Sequence, residues 1–211
     1  MKKFIIDVAA ITCTALTVTL SAPVIAATLP SFGSKSNSGV DLNASQAGLV
    51  RSYVGANKDV LMSQSKLLEA LGLKDKAAAA QATADSLSEG ATKGNLQDMD
   101  KVQSADSQAL ADALKAPAGQ MDAQSKKTYS QGLVLLASGM IKYTGMRKDV
   151  DAFKGGLSSA SLLETPKLQT GAYVLTSFPT NLQHLTETMR NAVAFAKANG
   201  IEVPAEATSV I

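Results

Sequence analysis

The chain has 211 residues, of which 45% are hydrophobic and only 4% aromatic, and its formal net charge at pH 7 is +2. This length is enough for one domain with a good core, while the near-neutral charge argues against a broad basic surface for nucleic acid or an anionic membrane. A composition rich in Ala, Ser, Gln and Lys and lacking Trp favours helices over strands.

Residues 1–27 have the layout of a secretory signal peptide. Two lysines follow the first methionine, residues 4–20 are mostly apolar, and small residues follow Pro23. This pattern predicts cleavage after Ala26 or Ala27. We therefore expect an exported protein of the bacterial cell envelope, of the Gram-negative type, that is periplasmic or secreted and has no membrane span after cleavage.

Two alternatives for this N-terminus are an uncleaved membrane anchor and a lipoprotein. Asp7, Pro23 and several Thr and Ser residues make the apolar run a poor membrane span. Lipidation would require Cys13, the only cysteine, but residues 10–12 lack the Leu and the small residue expected before a lipidated cysteine. Cleavage would leave a cysteine-free mature chain without disulfides or thiol chemistry.

The first mature helix is predicted after a flexible lead at residues 28–40, which contain Pro, Gly and Ser. It covers about residues 42–71, with Asp41 or Asn43 as its N-cap and Gly72 as its stop. Its predicted inward residues are Leu49, Val50, Tyr53, Val60, Leu61, Leu67, Leu68 and Leu71. Two interior glycines, at positions 48 and 55, suggest close helix contacts or a bend.

Two more helices precede the middle of the chain. Residues 74–89 are rich in Ala, so a helix there is expected to pack closely or at the periphery. After a linker at residues 90–94, a helix is predicted from Asn95 to a stop at residues 117–119, with a break near Ser104. Its predicted inward residues are Leu96, Met99, Val102, Leu110 and Leu114.

Residues 122–153 form the longest apolar-periodic run after the N-terminus and predict the central helix. The stripe consists of Tyr129, Leu133, Leu136, Met140, Tyr143 and Val150, spaced as on one face of a helix. The additional apolar residues Val134, Leu135, Ile141 and Met146 widen this face. We expect this helix to be covered on more than one side and to pack against the first helix.

The C-terminal third predicts a hinge at residues 155–156, a short helix or turn at 158–163, and a helix from Thr165 to Phe178 whose inward face is Leu168, Ala172 and Leu175. A last helix is expected from Thr180 to Gly200, followed by a frayed tail. Its predicted inward residues are Leu182, Leu185, Met189, Val193 and Ala196. Short loops favour an all-α, antiparallel bundle of about five to seven helices over residues 41–204, with residues 205–211 frayed.

An eight-residue pattern occurs twice. Residues 53–60 and 143–150 share Tyr, Gly, Lys, Asp and Val at identical offsets. The two interpretations are a duplicated helical hairpin, whose tyrosines and glycines meet near a pseudo-twofold axis, and chance. The similarity fades on both sides, which favours chance.

Motifs for chemistry are missing from this sequence. His184 is the only histidine, and we interpret it as solvated; the carboxylates are scattered, and no phosphate-binding loop or nucleophile motif occurs. We therefore expect no enzyme activity, no catalytic residues, no cofactor, no metal site and no nucleic-acid partner.

Three function classes remain. The first is a non-enzymatic envelope protein with a structural or protein-interaction role and a protein partner that the sequence does not identify. The second is a carrier of a small apolar ligand or lipid in a cavity lined by Leu, Met and Tyr of the central helix and by Met189. The third, a hydrolase, lacks a catalytic constellation. We favour the first.

Overall fold

In the computed structural model, which describes residues 41–115, 121–158 and 165–211, every regular element is helical and no strand occurs in these ranges. The elements are α1 (Leu42–Ala70), α2 (Lys74–Ser86), α3 (Lys93–Lys115), α4 (Ala123–Gly145), α5 (Arg147–Leu157), the short 3₁₀ helix η1 (Thr165–Leu168), α6 (Gln169–Ala198) and α7 (Ala205–Ser209). The all-α prediction is confirmed. The predicted signal peptide, lead, stop at 117–119 and most of the turn at 158–163 lie outside the described residues.

Helix α1 begins and ends as the sequence predicts. The Asp41 carboxylate accepts hydrogen bonds from the backbone N–H groups of Asn43 and Ala44, at 3.0 and 3.1 Å, and so satisfies two of the free donors of the first turn. Gly72 follows the helix with φ of 82°, a left-handed conformation that glycine adopts without strain. Gly200 repeats this ending after α6, with φ of 61°.

The core is built on the antiparallel pair α1 and α4. A Cβ on Gly132 would lie 2.8 Å from the Leu67 side chain, and one on Gly139 would lie 2.8 Å from Val60 Cγ2. Both distances are too short for real carbon contacts, so these two glycines let the helices approach closely. The predicted pairing of the first and central helices is confirmed.

Helix α6 packs on the same pair. It runs antiparallel to α4, because Tyr129 near the start of α4 bonds the Ala192 carbonyl at 3.1 Å, whereas Tyr143 at the other end stacks on Phe178 with ring centroids 5.9 Å apart. Helices α1 and α6 consequently run parallel to each other. The antiparallel prediction therefore holds for α1 with α4 and for α4 with α6, but not for every neighbouring pair.

Most of the predicted core residues of α1 and α4 are buried, whereas Leu71 and Leu135 are half-buried and Val134 and Ile141 are exposed. In α4, Tyr129, Leu133 and Leu136 are fully buried, and Tyr143 is fully buried at its far end. None of the helices within the described ranges has the length and hydropathy needed to cross a lipid bilayer.

Helix α3 corrects one prediction. It starts two residues before Asn95 and continues through Ser104 to Lys115 without a break. The break was expected because Asp106 interrupts the apolar stripe, yet this carboxylate is buried within the helix interface. Asp106 thus interrupts the apolar stripe of α3, but the helical backbone continues through it.

The central helix is shorter than predicted. It is interrupted at Met146, and α5 then continues as a separate helix, within which the expected hinge at Gly155 and Gly156 lies in regular helix. The Phe153 ring is fully buried against Gly171, where a Cβ would lie 2.5 Å from its Cζ atom. This packing of α5 on α6 outweighs the weak helix propensity of two glycines.

Helix α6 corrects the predicted boundary at Pro179, because it runs continuously through the proline. Phe178 and Leu185 are buried seven residues apart on one face, so both halves bury the same side. In its first half the buried residues are Gly171, Val174 and Phe178 rather than the predicted Ala172 and Leu175. The tail predicted to fray instead forms α7, with Ala207 buried.

Candidate functional site

A group of interacting polar side chains lies where α1, α3, α4 and α6 meet, and we call it the tyrosine–aspartate cluster (Tyr53, Tyr143, Tyr173, Asp100 and Asn181). At its centre the half-buried Asp100 carboxylate accepts hydrogen bonds from the Tyr53 hydroxyl at 3.0 Å and the Tyr173 hydroxyl at 2.5 Å. The Asn181 amide donates to Tyr53 Oη at 2.7 Å and to Asp100 Oδ1 at 3.3 Å. Three donors from α1 and α6 thus converge on one carboxylate of α3.

The electrostatics of this cluster suit a structural role. Burial raises the pKa of Asp100, while the hydrogen bonds from Tyr173, Tyr53 and Asn181 act in the opposite direction. Burial also raises the pKa of Tyr53 far above its usual range and that of Tyr173 to about 12. These hydroxyls therefore stay protonated at neutral pH and act as donors to Asp100 rather than as bases or nucleophiles.

Tyr143 extends the cluster into the α1–α4 interface. Its hydroxyl donates to Asn57 Oδ1 at 2.9 Å, and the Asn57 amide donates to the Tyr53 carbonyl, also at 2.9 Å. The rings of Tyr53 and Tyr143 meet edge to face with centroids 5.8 Å apart. Every side chain of this extension is buried, and each polar atom named has a partner, which ties α1 and α4 together at one register.

The structure brings together the tyrosines of the repeated eight-residue pattern. Beside the contact between Tyr53 and Tyr143, the aspartates at the same offset in the two copies also contact another helix. Asp59 pairs with Lys142 at 2.7 Å, and Asp149 accepts a hydrogen bond from Ser52 at 2.9 Å. Lys142 and Ser52 each directly precede one of the tyrosines. This is the pairing that a pseudo-twofold axis through the tyrosine contact requires.

The glycines of the same pattern do not meet. A Cβ on Gly55 or Gly145 would have no neighbouring atom within 4 Å. The duplicated-hairpin hypothesis placed these glycines at the axis, and that part is wrong. Close approach of the helices depends instead on Gly132 and Gly139, whose seven-residue spacing on one helix face was the available signal.

Two surface clefts, each of about 340 Å³, border α3. One lies against α2, with Leu87 and Met99 in its lining and polar side chains around them. The other lies against α6 and is lined by Ser107, His184 and Glu187 among other polar residues. His184 is exposed there, as its interpretation as a solvated residue required.

The residues that the carrier hypothesis assigns to a ligand cavity are packed in the core. Met140, Tyr143 and Met189 are each buried, and neither surface cleft includes any of them.

A further surface feature of the described residues is apolar and lies on α4. Val134 and Ile141 are 41% and 52% exposed, although both were predicted to be covered. They lie seven residues apart and so share one helix face. We define the open face of α4 by its exposed and half-buried residues Lys127, Gln131, Val134, Leu135, Ser138 and Ile141.

Neither grouped metal ligands in the described ranges nor a similar protein points to a function for this chain. Within the described ranges, no three His, Cys, Asp or Glu side chains are grouped to hold a metal ion. No protein-family model, curated protein or solved structure matches the chain at a significant level.

Proposed function

We propose that this chain is exported and acts as a non-enzymatic, protein-interaction component of the bacterial cell envelope, which binds a partner helix on the open face of α4. The observation that carries the proposal is the pair of exposed side chains Val134 and Ile141 on an otherwise well-packed helix. Two large apolar residues one heptad apart are the anchors that a partner helix uses when it lies along a helix face.

The charge on α4 indicates the chemistry of the partner. Ala123–Gly145 contains three lysines and no carboxylate. Lys142 pairs with Asp59 and Lys126 donates to the Asn199 carbonyl, so Lys127 is the lysine of the open face that a partner can meet. A second copy of this face would bring no carboxylate of α4 to Lys127, whereas an acidic partner would. A helix with an apolar stripe flanked by Asp and Glu complements it in both polarity and charge.

A photo-crosslinking amino acid at Gln131, one turn from Val134, tests this proposal in the native host. We expect one discrete adduct, in which the crosslinked peptide belongs to a carboxylate-flanked amphipathic helix of an envelope protein. The double variant Val134→Gln with Ile141→Gln should abolish the adduct and weaken binding of that helix at least about tenfold, since it removes both anchors.

Ile211→Gln is the matched control, because Ile211 is 46% exposed and lies outside α4. It should leave the adduct unchanged. An adduct with lipid, with a second copy of the chain, or one that persists in the double variant would overturn the proposed partner.

Export has a separate test, so that its failure is distinguishable from failure of the interface. N-terminal sequencing of the protein recovered from the periplasmic fraction or the medium should give a chain that starts at Ala27 or Thr28. A cytoplasmic chain that retains Met1 would contradict export while leaving the open face of α4 as a binding surface.

A further inference from the structure

The sequence contains one asparagine that is followed by glycine, Asn199, and it lies directly after α6. Glycine has no Cβ, so its backbone nitrogen is accessible and can rotate freely toward the preceding side chain. That nitrogen can attack the amide carbon of the asparagine and release ammonia. Asparagine is a thermolabile residue for this reason, and it is most labile before glycine.

The covalent step needs only water. A bond forms between Gly200 N and Asn199 Cγ, the Cγ–Nδ2 bond breaks, and ammonia leaves with the proton of Gly200 N. Water then adds to one of the two bonds that join this nitrogen to the carbonyl carbons of the new five-membered ring. The product is an aspartate or an isoaspartate, in which the chain continues through the side chain.

The folded backbone prevents this ring from closing. Asn199 has ψ of 11°, so Gly200 N nearly eclipses Asn199 N about the Cα–C bond. Cβ is attached about a third of a turn away from N on a tetrahedral Cα. Gly200 N therefore points away from the side chain that it has to attack, and a large rotation of ψ must precede the reaction.

Hydrogen bonds hold both reacting groups in this conformation. Gly200 N, the attacking atom, donates to the Lys197 carbonyl at 3.5 Å. Asn199 Nδ2, the leaving group, donates to the Phe195 carbonyl at 2.8 Å. The end of α6 thus protects the bond that its sequence makes labile.

A lysine from another helix completes this cap. Lys126 of α4 donates through Nζ to the Asn199 carbonyl at 2.9 Å, where the positive charge also suits the C-terminal end of α6. Ile201 N donates to the Ala196 carbonyl at 2.9 Å, and the Ile201 side chain is buried, as in a Schellman motif. Because the Asn199 carbonyl turns with ψ, the rotation that the reaction requires breaks the Lys126 bond.

We propose that Asn199 is a site of spontaneous deamidation that the cap of α6 keeps closed, with Lys126 as the contact that holds it shut. The modification then accumulates only in molecules in which this end of α6 opens locally. Isoaspartate adds a carbon atom to the backbone and cannot rebuild the Schellman motif, and the new carboxylate opposes the helix dipole. Each opening that ends in reaction leaves a permanent change at the end of α6.

Peptide mapping by mass spectrometry of the full chain, incubated at mildly alkaline pH, tests the proposal. Trypsin cleaves after Lys197, and residues 198–211 contain no other asparagine and no glutamine, so this peptide reports Asn199 alone. We expect the native protein to deamidate there at least about tenfold more slowly than the chain unfolded in urea, because the reaction waits for opening. Urea below the unfolding transition should leave the native rate nearly unchanged, since local opening exposes little surface.

Two variants test the role of Lys126. Lys126→Met removes the ammonium group and keeps a long side chain, so it should raise the native rate at least about threefold. It should leave the rate in urea unchanged, because that rate depends only on the sequence around Asn199. Lys154→Met changes an exposed lysine of α5 and is the matched control, which should alter neither rate.

Each other outcome overturns part or all of the proposal. Equal rates in the native and unfolded chains would show that the cap gives no protection, and no reaction in either would show that Asn199 is not a deamidation site. A native rate that rises steeply with urea below the transition would assign the reaction to global unfolding. Equal native rates in Lys126→Met and Lys154→Met would remove Lys126 from the cap.

Discussion

The interfaces that α1 makes with α4 and with α3 differ in what holds them together. The α1–α4 interface is close and mainly apolar, and its buried polar groups are paired: Gly132 and Gly139 bring the helices together, and the buried hydroxyl of Ser63 donates to the Gly132 carbonyl at 2.8 Å. The contact of α1 with α3 is more polar, and buried oxygens of Gln64, Gln103 and Asp106 have no hydrogen-bond partner among the described residues. The first contributes stability through packing, whereas the stability contributed by α3 depends on the protonation of Asp106.

The largest expected effect comes from breaking the apolar interface. Leu136 is fully buried in α4, and Leu136→Asp would place an unpaired charge in the core. We expect a loss of more than about 4 kcal/mol, enough to unfold the domain. Circular dichroism and thermal melting measure this, and a variant that melts like the parent would show that the core assignment is wrong.

The polar interface should respond to pH. Burial raises the pKa of Asp106 to about 6, against the opposing effect of Lys76. A carboxyl with a raised folded-state pKa stabilises the fold when protonated, so its contribution is complete below the unfolded pKa of about 4 and is lost as pH rises through about 6.

We therefore expect this residue to remove up to about 3 kcal/mol of stability between pH 4 and 7. Denaturant unfolding across this range, in the parent and in Asp106→Asn, measures the difference. The variant should have the flatter profile, and two parallel profiles would assign the pH dependence to other groups.

A comparison of two glycines sharpens the packing argument. Gly139→Ala places a Cβ 2.8 Å from Val60 and 3.3 Å from the Ala56 carbonyl, so we expect a loss of about 1–3 kcal/mol. Gly55→Ala, at an open position within α1, should stabilise the protein by up to about 1 kcal/mol through helix propensity. Urea denaturation of both variants tests the contrast, and effects of the same sign would contradict it.

The smallest effect is expected at His184, which is exposed in the cleft between α3 and α6. His184→Ala should change the free energy of unfolding by less than about 0.5 kcal/mol. It should also leave the crosslink from position 131 unchanged. A clear loss in either measurement would assign a role to this histidine.

The apolar interface was predictable and the polar one was not, for a physical reason. Helical periodicity identifies the face that carries Leu133 and Leu136 because burial of apolar surface is local in sequence and repeats every three or four residues. The convergence of Gln64 with Gln103 depends on two helices meeting at one level, which no spacing within either helix specifies. The same applies to Tyr53, Asp100 and Asn181.

The boundary errors have a similar cause. Gly155 and Pro179 are helix-breaking residues, and local propensity ends a helix at each of them. The structure continues both helices because Phe153 and Phe178 bury their rings only if the backbone stays helical there. The exposure of Val134 and Ile141 was missed for the opposite reason, since an apolar residue on a helix need not be covered within its own chain.

The glycine contacts between α1 and α4 also determine how the molecule opens. Because Gly132 and Gly139 place one helix directly against the other, neither can detach without exposing Leu67 and Val60 to water. Backbone amides in the two helices should therefore exchange with deuterium only through global unfolding, whereas those of the short α7 exchange through local fluctuations. The protein would lose its periphery first and keep this pair as its last cooperative unit.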